Sequence, residues 1–254
     1  MSATSLQAQP GAVMMMDLDG TICLGAGPAR CYARELERRT GLTGVVAQLE
    51  RFEADPDADP AFADCEDLYD VVAAVARDLG VEPADRDAAY LASRRDLADA
   101  QVFAPCGLKE FLTGLAASVT LVTNAPAEGL AELLKRLGVA GLFDDVVCSA
   151  GKPDGVAAQV EPVLARGQAI ISVGDRWEND LAPVAALGGA TAHVDTFGRG
   201  FGSATMVART LPELYPALAR WDAAMAAGSA GAQTAFATPA RHPTGRPAGE
   251  SRKP

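Results

Sequence analysis

Downstream of Pro105 the chain alternates short apolar runs with amphipathic segments, and this alternation restricts the fold more than any other feature. The runs at residues 119–123, 146–148, 170–173 and 191–194 are β-branched, apolar and too short for helices. Between them, Leu130, Leu133, Leu134 and Leu137, and then Val156, Val160, Val163 and Leu164, recur at helical spacing. Strands this apolar, joined through helices, predict right-handed crossovers onto a parallel sheet covered on both faces. Val13-Met14-Met15-Met16 reads as one further buried strand, and residues 211–224 as a closing helix.

From residue 28 to 97 no strand pattern is present. Leu68, Val71, Val72, Val75 and Leu79 form a helical stripe, with Asp64 as candidate N-cap and Gly80 as stop. Residues 30–39, 45–54 and 84–98 are weaker helical candidates, and Asp55-Pro56-Asp57-Ala58-Asp59-Pro60 is a loop because each proline disfavours helix before it. The expected organisation is an α/β core from residues 10–24 and 105–221, with a helical insertion at 25–104. Residues 1–9 read as a loose lead-in, and 222–254, rich in Ala, Gly, Pro, Ser and Thr, as a disordered tail.

Hydrophobic residues make up 49% of the 254 and charged residues 22%, enough to bury a core and too apolar for a disordered chain. The net charge of -11 disfavours nucleic acid and anionic membrane as partners. Within 25–104 there are 9 Arg, no Lys and 17 acidic residues, so the insertion carries -8. No apolar stretch reaches the roughly 18 residues of a membrane span. The first apolar run is not preceded by Lys or Arg, so it does not read as a secretory signal. Five widely spaced cysteines, without a CxxC or Cys/His cluster, suit neither a disulfide framework nor zinc, and a reducing cytoplasm is the expected location.

Ligands of open α/β sheets bind at the carboxyl ends of the strands, so candidate chemistry lies just after each apolar run. Asp17 and Asp19 follow the first, with the chain turning at Gly20-Thr21. Such a carboxylate pair can bind a hard cation or divide into a nucleophile and a proton donor, although Asp-Gly is also a common solvated turn. Thr123 and Asn124 end the second, where a hydroxyl and an amide can hold a phosphoryl oxygen or simply cap a helix. Lys152, one of four lysines, follows the third. A compact ammonium there suits neutralising a nucleophile and a phosphate together, where the plain alternative is an exposed loop lysine. After the fourth come Gly174, Asp175 and Asp180, with Glu178 and Asn179 as neighbours. Asp180 can orient Lys152 or hold water on a cation, and an acidic helix start is the alternative. Together these residues form the acid-rich site, with one lysine and one hydroxyl, of a magnesium-dependent reaction on a phosphate.

In this order, Asp17-Leu18-Asp19-Gly20-Thr21, Thr123-Asn124, Lys152 and Gly174-Asp175 through Asp180 resemble the four motifs of the haloacid dehalogenase-like hydrolases, over roughly residues 13–195. The insertion resembles the mobile helical cap of the phosphoglycolate-phosphatase-like branch. The resemblance implies a Rossmann-like three-layer core with an inserted all-helical cap. It implies Asp17 as nucleophile forming an aspartyl-phosphate, and Asp19 as the acid that protonates the leaving oxygen and later activates water. Mg²⁺ would be held by Asp17, the Asp19 backbone carbonyl and Asp175, while Thr123 and Asn124 would bind the phosphoryl group. Lys152 would balance charge, with Asp180, Gly20 and Thr21 in support. Met16 departs from the aromatic residue usual before the nucleophile but fills the same buried volume.

The reaction expected is hydrolysis of a small phosphorylated metabolite. Asp19 disfavours dehalogenation, because dehalogenases of this superfamily lack a second aspartate there. The lysine-free insertion disfavours Schiff-base phosphonate chemistry. A phosphomutase sharing the core residues is the alternative, and a non-catalytic phosphate- or metal-binding regulator a more distant one. Arg30, Arg34, Arg94 and Arg95 are the cap residues able to touch an anionic substrate, although helix-surface ion pairs account for them equally well.

Overall fold

The computed structural model describes residues 11–228, apart from 96, 98 and 99. Strand β1 (Ala12–Met16) is buried along its whole length. It lies between β2 (Ser118–Val122) and β4 (Ala169–Gly174), with Met16 in register with both Leu121 and Val173. β3 (Asp145–Val147), β5 (Ala190–Val194) and β6 (Met206–Ala208) complete a parallel sheet of order β3-β2-β1-β4-β5-β6. The chain leaves β1 toward β2 on one side and reaches β4 on the other. This reversal opens a crevice at the carboxyl ends of the central strands.

Alternation along β1 divides the core between the two faces of the sheet. Met14 and Met16 pack with Leu108 and Leu112 of α5 (Leu108–Thr113), Leu130, Leu133 and Leu134 of α6 (Leu130–Arg136), and Leu214, Leu218 and Trp221 of α9 (Leu211–Ala226). Val13 and Met15 face Val160 and Val163 of α7 (Ala157–Ala165) and Val184 of α8 (Ala182–Ala186). The three-layer α/β architecture expected from the alternation is the one observed. Met16 is fully buried, consistent with its space-filling role.

The closing helix runs to Ala226, so residues 222–226 belong to the core rather than to the tail assigned to them. The reason is a buried carboxylate: Asp222 accepts the backbone N–H groups of Ala116 (3.0 Å) and Ala117 (2.7 Å), pinning the helix beside the start of β2. Residues 229–254 and the lead-in at 1–9 lie outside the described residues. Trp221 is wholly buried in the core cluster on that face of the sheet. Trp221→Ala is expected to cost about 3–5 kcal/mol, read as a lowered denaturation midpoint in urea. A change under 1 kcal/mol would show that α9 is dispensable.

Within residues 25–104 the regular elements among the described residues are helices: α1 (Gly27–Thr40), α2 (Val45–Ala54), α3 (Leu68–Asp78) and α4 (Pro83–Ser93), with a short 3-10 turn at Pro60–Phe62. These helices share a hydrophobic cluster of their own, including Leu36, Leu49, Phe52, Val71, Val72 and Val75. The N-cap of α3 is Asp67, whose side chain accepts the Asp70 N–H at 2.6 Å, and not Asp64. The two strands of chain that link the insertion to the sheet meet at a bridge between Leu24 and Phe103. β6, α5 and α8 were not anticipated from sequence.

Candidate active site

The first strand ends at Asp17, whose N–H still donates to Val173 (2.9 Å), and the chain then turns sharply. Gly20 adopts φ +82°, and a Cβ there would overlap the Asp175 carboxylate. Glycine is therefore required both by the turn and by the close approach of the neighbouring loop. A side chain at Gly174 would collide in the same way with Asp180. The two loops thus press three acidic side chains into one space.

Lys152 binds them together. Its Nζ lies 2.6 Å from Asp17 Oδ1 and 2.6 Å from Asp180 Oδ1, with the lysine side chain 5% exposed. Asn124 holds the backbone of Lys152 from both sides, accepting its N–H at 2.7 Å and donating to its carbonyl at 3.0 Å. Both groups of the Asn124 amide are engaged in positioning the lysine. Thr123 is buried, and its hydroxyl accepts the Ala125 N–H at 3.0 Å. Asp180 sits in a single π-helical turn, Trp177–Leu181, a distortion frequent at functional sites. Its backbone carbonyl accepts Ser172 Oγ at 2.8 Å and its second carboxylate oxygen the Arg176 N–H at 3.1 Å.

Carboxylate oxygens of Asp17, Asp175 and Asp180 lie within 4.8 Å of one another. Burial raises the Asp17 pKa to about 6 despite the opposing charge of Lys152. Burial, reinforced by the charges of Asp17 and Asp67, also lifts Asp175 well above the ordinary carboxylate range. Burial works against the charge on Lys152, but Asp17 and Asp180 outweigh it and hold its pKa well above that of a free lysine. Asp175 Oδ1 is buried and has no protein hydrogen-bond partner. Three packed carboxylates, one of them with an orphaned oxygen, match the oxygen donor set of a hard divalent cation.

The sequence-derived site residues lie together at the carboxyl ends of the central strands. The clustered carboxylates are those of Asp17, Asp175 and Asp180, whereas the Asp19 carboxylate faces the helical insertion. Arg94, 3% exposed, donates to Asp19 Oδ1 at 3.0 Å and to the Tyr69 hydroxyl at 2.7 Å. Burial raises the Asp19 pKa, with the Arg94 charge opposing it. The Thr21 hydroxyl is buried beside this turn with no protein partner.

Contacts between insertion and core were not legible in advance. Arg176 pairs with Asp70 (2.6 Å) and Asp67 (3.5 Å), the Trp177 N–H donates to Glu66 (2.6 Å), and Arg199 pairs with Asp57 (2.8 Å). In sequence Arg94 is one of four equivalent candidates, and Tyr69 carries no signal beyond its place in a helix. Arg30 instead pairs with Glu53 inside the insertion. Above the acidic cluster lies a cavity of about 340 Å³, walled by core residues on one side and the insertion on the other.

A family model described as haloacid dehalogenase-like hydrolase matches residues 14–188. Among solved structures, the HAD-hydrolase YfnB of Bacillus subtilis, bound to magnesium, is 21% identical and superposes with a TM-score of 0.55 over 82% of this chain and 98% of that one. A hydrolase from Pseudomonas syringae is 14% identical, with a TM-score of 0.55 over 82% of this chain and 98% of that one. The L-2-haloacid dehalogenase RSc1362 is 16% identical, with a TM-score of 0.50 over the same shares. No curated protein matches the chain. At these identities the superpositions establish the fold, and the family match covers most of the chain and every motif residue. The chain belongs to the haloacid dehalogenase-like hydrolases.

Proposed function

We propose that this hydrolase is a magnesium-dependent phosphatase acting on a small phosphate monoester through an aspartyl-phosphate, with residues 25–104 as its cap. The observation that carries the reading is the pair of carboxylates at the end of β1. Asp17 is held at 2.6 Å by Lys152 among acidic groups that call for a cation, and Asp19 stands apart from them. A dehalogenase needs only the first, whereas phosphoryl transfer to an aspartate needs a second group to handle the proton.

Asp17 attacks phosphorus, forming the Asp17–phosphorus bond as the bond to the ester oxygen breaks. Asp19 gives its proton to that leaving oxygen. In the second half, Asp19 takes a proton from water as the water oxygen attacks phosphorus and Asp17 is released. Lys152 screens the negative charge that Asp17 and the phosphoryl group bring together, and Asn124 fixes where that ammonium sits. Thr123 lies at the end of β2, in the cavity lining, to meet the phosphoryl oxygens, and Thr21 supports the turn from within the core. Asp17, Asp175 and Asp180 would hold Mg²⁺, which supplies charge neutralisation of the phosphoryl group. Among the described residues no helix is long and apolar enough to cross a membrane.

The test is release of p-nitrophenolate from p-nitrophenyl phosphate by the full-length protein. Turnover is expected with Mg²⁺ and not after its removal by chelation. Equal turnover in both would remove the metal from the reaction. Transfer of the phosphoryl group to an added sugar phosphate, in place of release as inorganic phosphate, would instead identify a mutase.

A second measurement needs no catalysis. Asp17 titrates near 6 when folded, against an ordinary value of 3.8, so the folded state holds its proton more tightly than the unfolded state does. Metal-free stability contributed by this proton is therefore present at low pH and lost as pH rises through about 6. Glu66 and Asp67, both raised by burial to about 7, add to the same downward slope. Mg²⁺ binds the deprotonated cluster, so its thermal stabilisation is expected to be larger at pH 7.5 than at pH 5. An equal shift in melting temperature at both pH values would place the ion elsewhere.

A further inference from the structure

We infer that the alcohol portion of the substrate carries an ammonium group, so that the enzyme acts on phosphate esters of amino alcohols. This rests on the phosphatase reading above and extends it to the half of the cavity that does not touch phosphorus.

The wall supplied by the insertion is aromatic and acidic. Tyr32, Tyr69 and Tyr90, three of the four tyrosines in the chain, line it together with Asp70 and Asp87. The ring centroids lie 6.1, 5.9 and 5.8 Å apart, so the three form one aromatic surface. Aromatic rings beside a carboxylate are the recurrent receptor for ammonium and quaternary ammonium groups, because the ring quadrupole attracts a cation without demanding that it be fully hydrated. This surface already accommodates one cation: the Arg94 guanidinium lies 5.9 Å from the Tyr90 ring centre.

Charge decides against an anionic alcohol portion. Seven carboxylates line the cavity, against Lys152 and Arg176. Lys152 is held by Asp17 and Asp180, and Arg176 by Asp70 and Asp67. Arg94 is bound to Asp19 and lies outside the lining, as does Arg86, the neighbour of Asp87. No lining cation is left to receive a second negative group on the substrate. Asp87, by contrast, is exposed and forms no ion pair among the described residues. With about 340 Å³ for the phosphoryl group and alcohol together, the ester is small.

The test compares esters of matched shape on the Mg²⁺-loaded, full-length enzyme. Phosphocholine is set against 3,3-dimethylbutyl phosphate, its uncharged isostere, phosphoethanolamine against ethyl phosphate, and phosphoglycolate serves as the anionic case. At least about a tenfold advantage in kcat/KM is expected for an ammonium ester over its neutral partner, with phosphoglycolate the poorest of the set. Asp87→Asn and Tyr90→Leu should each reduce the ratio of ammonium to neutral ester. Equal or better turnover of the neutral or anionic esters overturns the inference and leaves the phosphatase reading standing. So does an ammonium preference that survives both substitutions, since the cation then sits elsewhere. If no ester is hydrolysed, p-nitrophenyl phosphate included, the phosphatase reading fails. Calorimetric binding then tests the aromatic and acidic wall by itself: tighter binding of phosphocholine than of its isostere supports ammonium recognition there, and equal binding overturns it.

Discussion

Asp17→Asn is expected to lower Mg²⁺-dependent turnover of p-nitrophenyl phosphate by at least about 10³, some 4 kcal/mol of transition-state stabilisation. An amide retains the size of the carboxylate and an oxygen for Lys152, so the architecture of the pocket survives. What disappears is the anionic oxygen that forms the bond to phosphorus. Loss of fold is measured separately: burial raises the Asp17 pKa to about 6, and Asp180 adds a like charge, so the ionised carboxylate is disfavoured there in the absence of metal. Removing that charge is expected to leave the melting temperature of the metal-free protein unchanged or higher at pH 7.5. A variant that is inactive and less stable would mean that Asp17 serves the fold, and unchanged turnover would end its assignment as nucleophile.

Asp19→Asn carries the second large effect, and its form depends on the leaving group. A general acid contributes about 10²–10⁴ in rate, and contributes most when the departing oxygen is strongly basic. With an alkyl phosphate, the variant is expected to stall before the Asp17–phosphorus bond forms. With p-nitrophenyl phosphate, whose oxygen leaves without help, the first half proceeds and the second is left without its base. A burst approaching one equivalent of p-nitrophenolate, followed by slow turnover, is the expected trace. Asn retains an oxygen able to accept the Arg94 hydrogen bond at the Asp19 position, so the link to the insertion is preserved. Near-normal steady-state rates on both esters would show that proton transfer is carried by another group.

Much of this site was legible in sequence because its residues follow runs apolar enough to be strands. The order of β1, β2 and β4 in the sheet then brings Asp17, Thr123 and Asp175 to one crevice. The contacts of the insertion were opaque for a physical reason. Arg94 meets Asp19 across 75 residues of sequence, and Arg176 meets Asp70 across 106, with no periodicity relating either pair. The unanticipated elements β6, α5 and α8 have 3, 6 and 5 residues, too few to display a repeat. Asp67 displaced Asp64 as the cap of α3 because the helix begins at Leu68, and periodicity locates a face better than an end. The tail boundary failed similarly: composition changes gradually after Trp221, while the buried Asp222 carboxylate holds the next turns in place. Asp180, expected from its place after the fourth run to orient Lys152 or hold water on a cation, joins the acidic cluster through the turn at Trp177–Leu181 and contacts Lys152.

The acyl-phosphate itself offers the most direct test. Enzyme denatured by acid during turnover of p-nitrophenyl phosphate with Mg²⁺ is treated with borohydride, which reduces an aspartyl-phosphate to homoserine, and the peptides are sequenced by mass spectrometry. Homoserine is expected at position 17 alone, and only when both substrate and Mg²⁺ were present. Sustained turnover with position 17 unmodified, or with the label at another carboxylate, would contradict the covalent role assigned to Asp17.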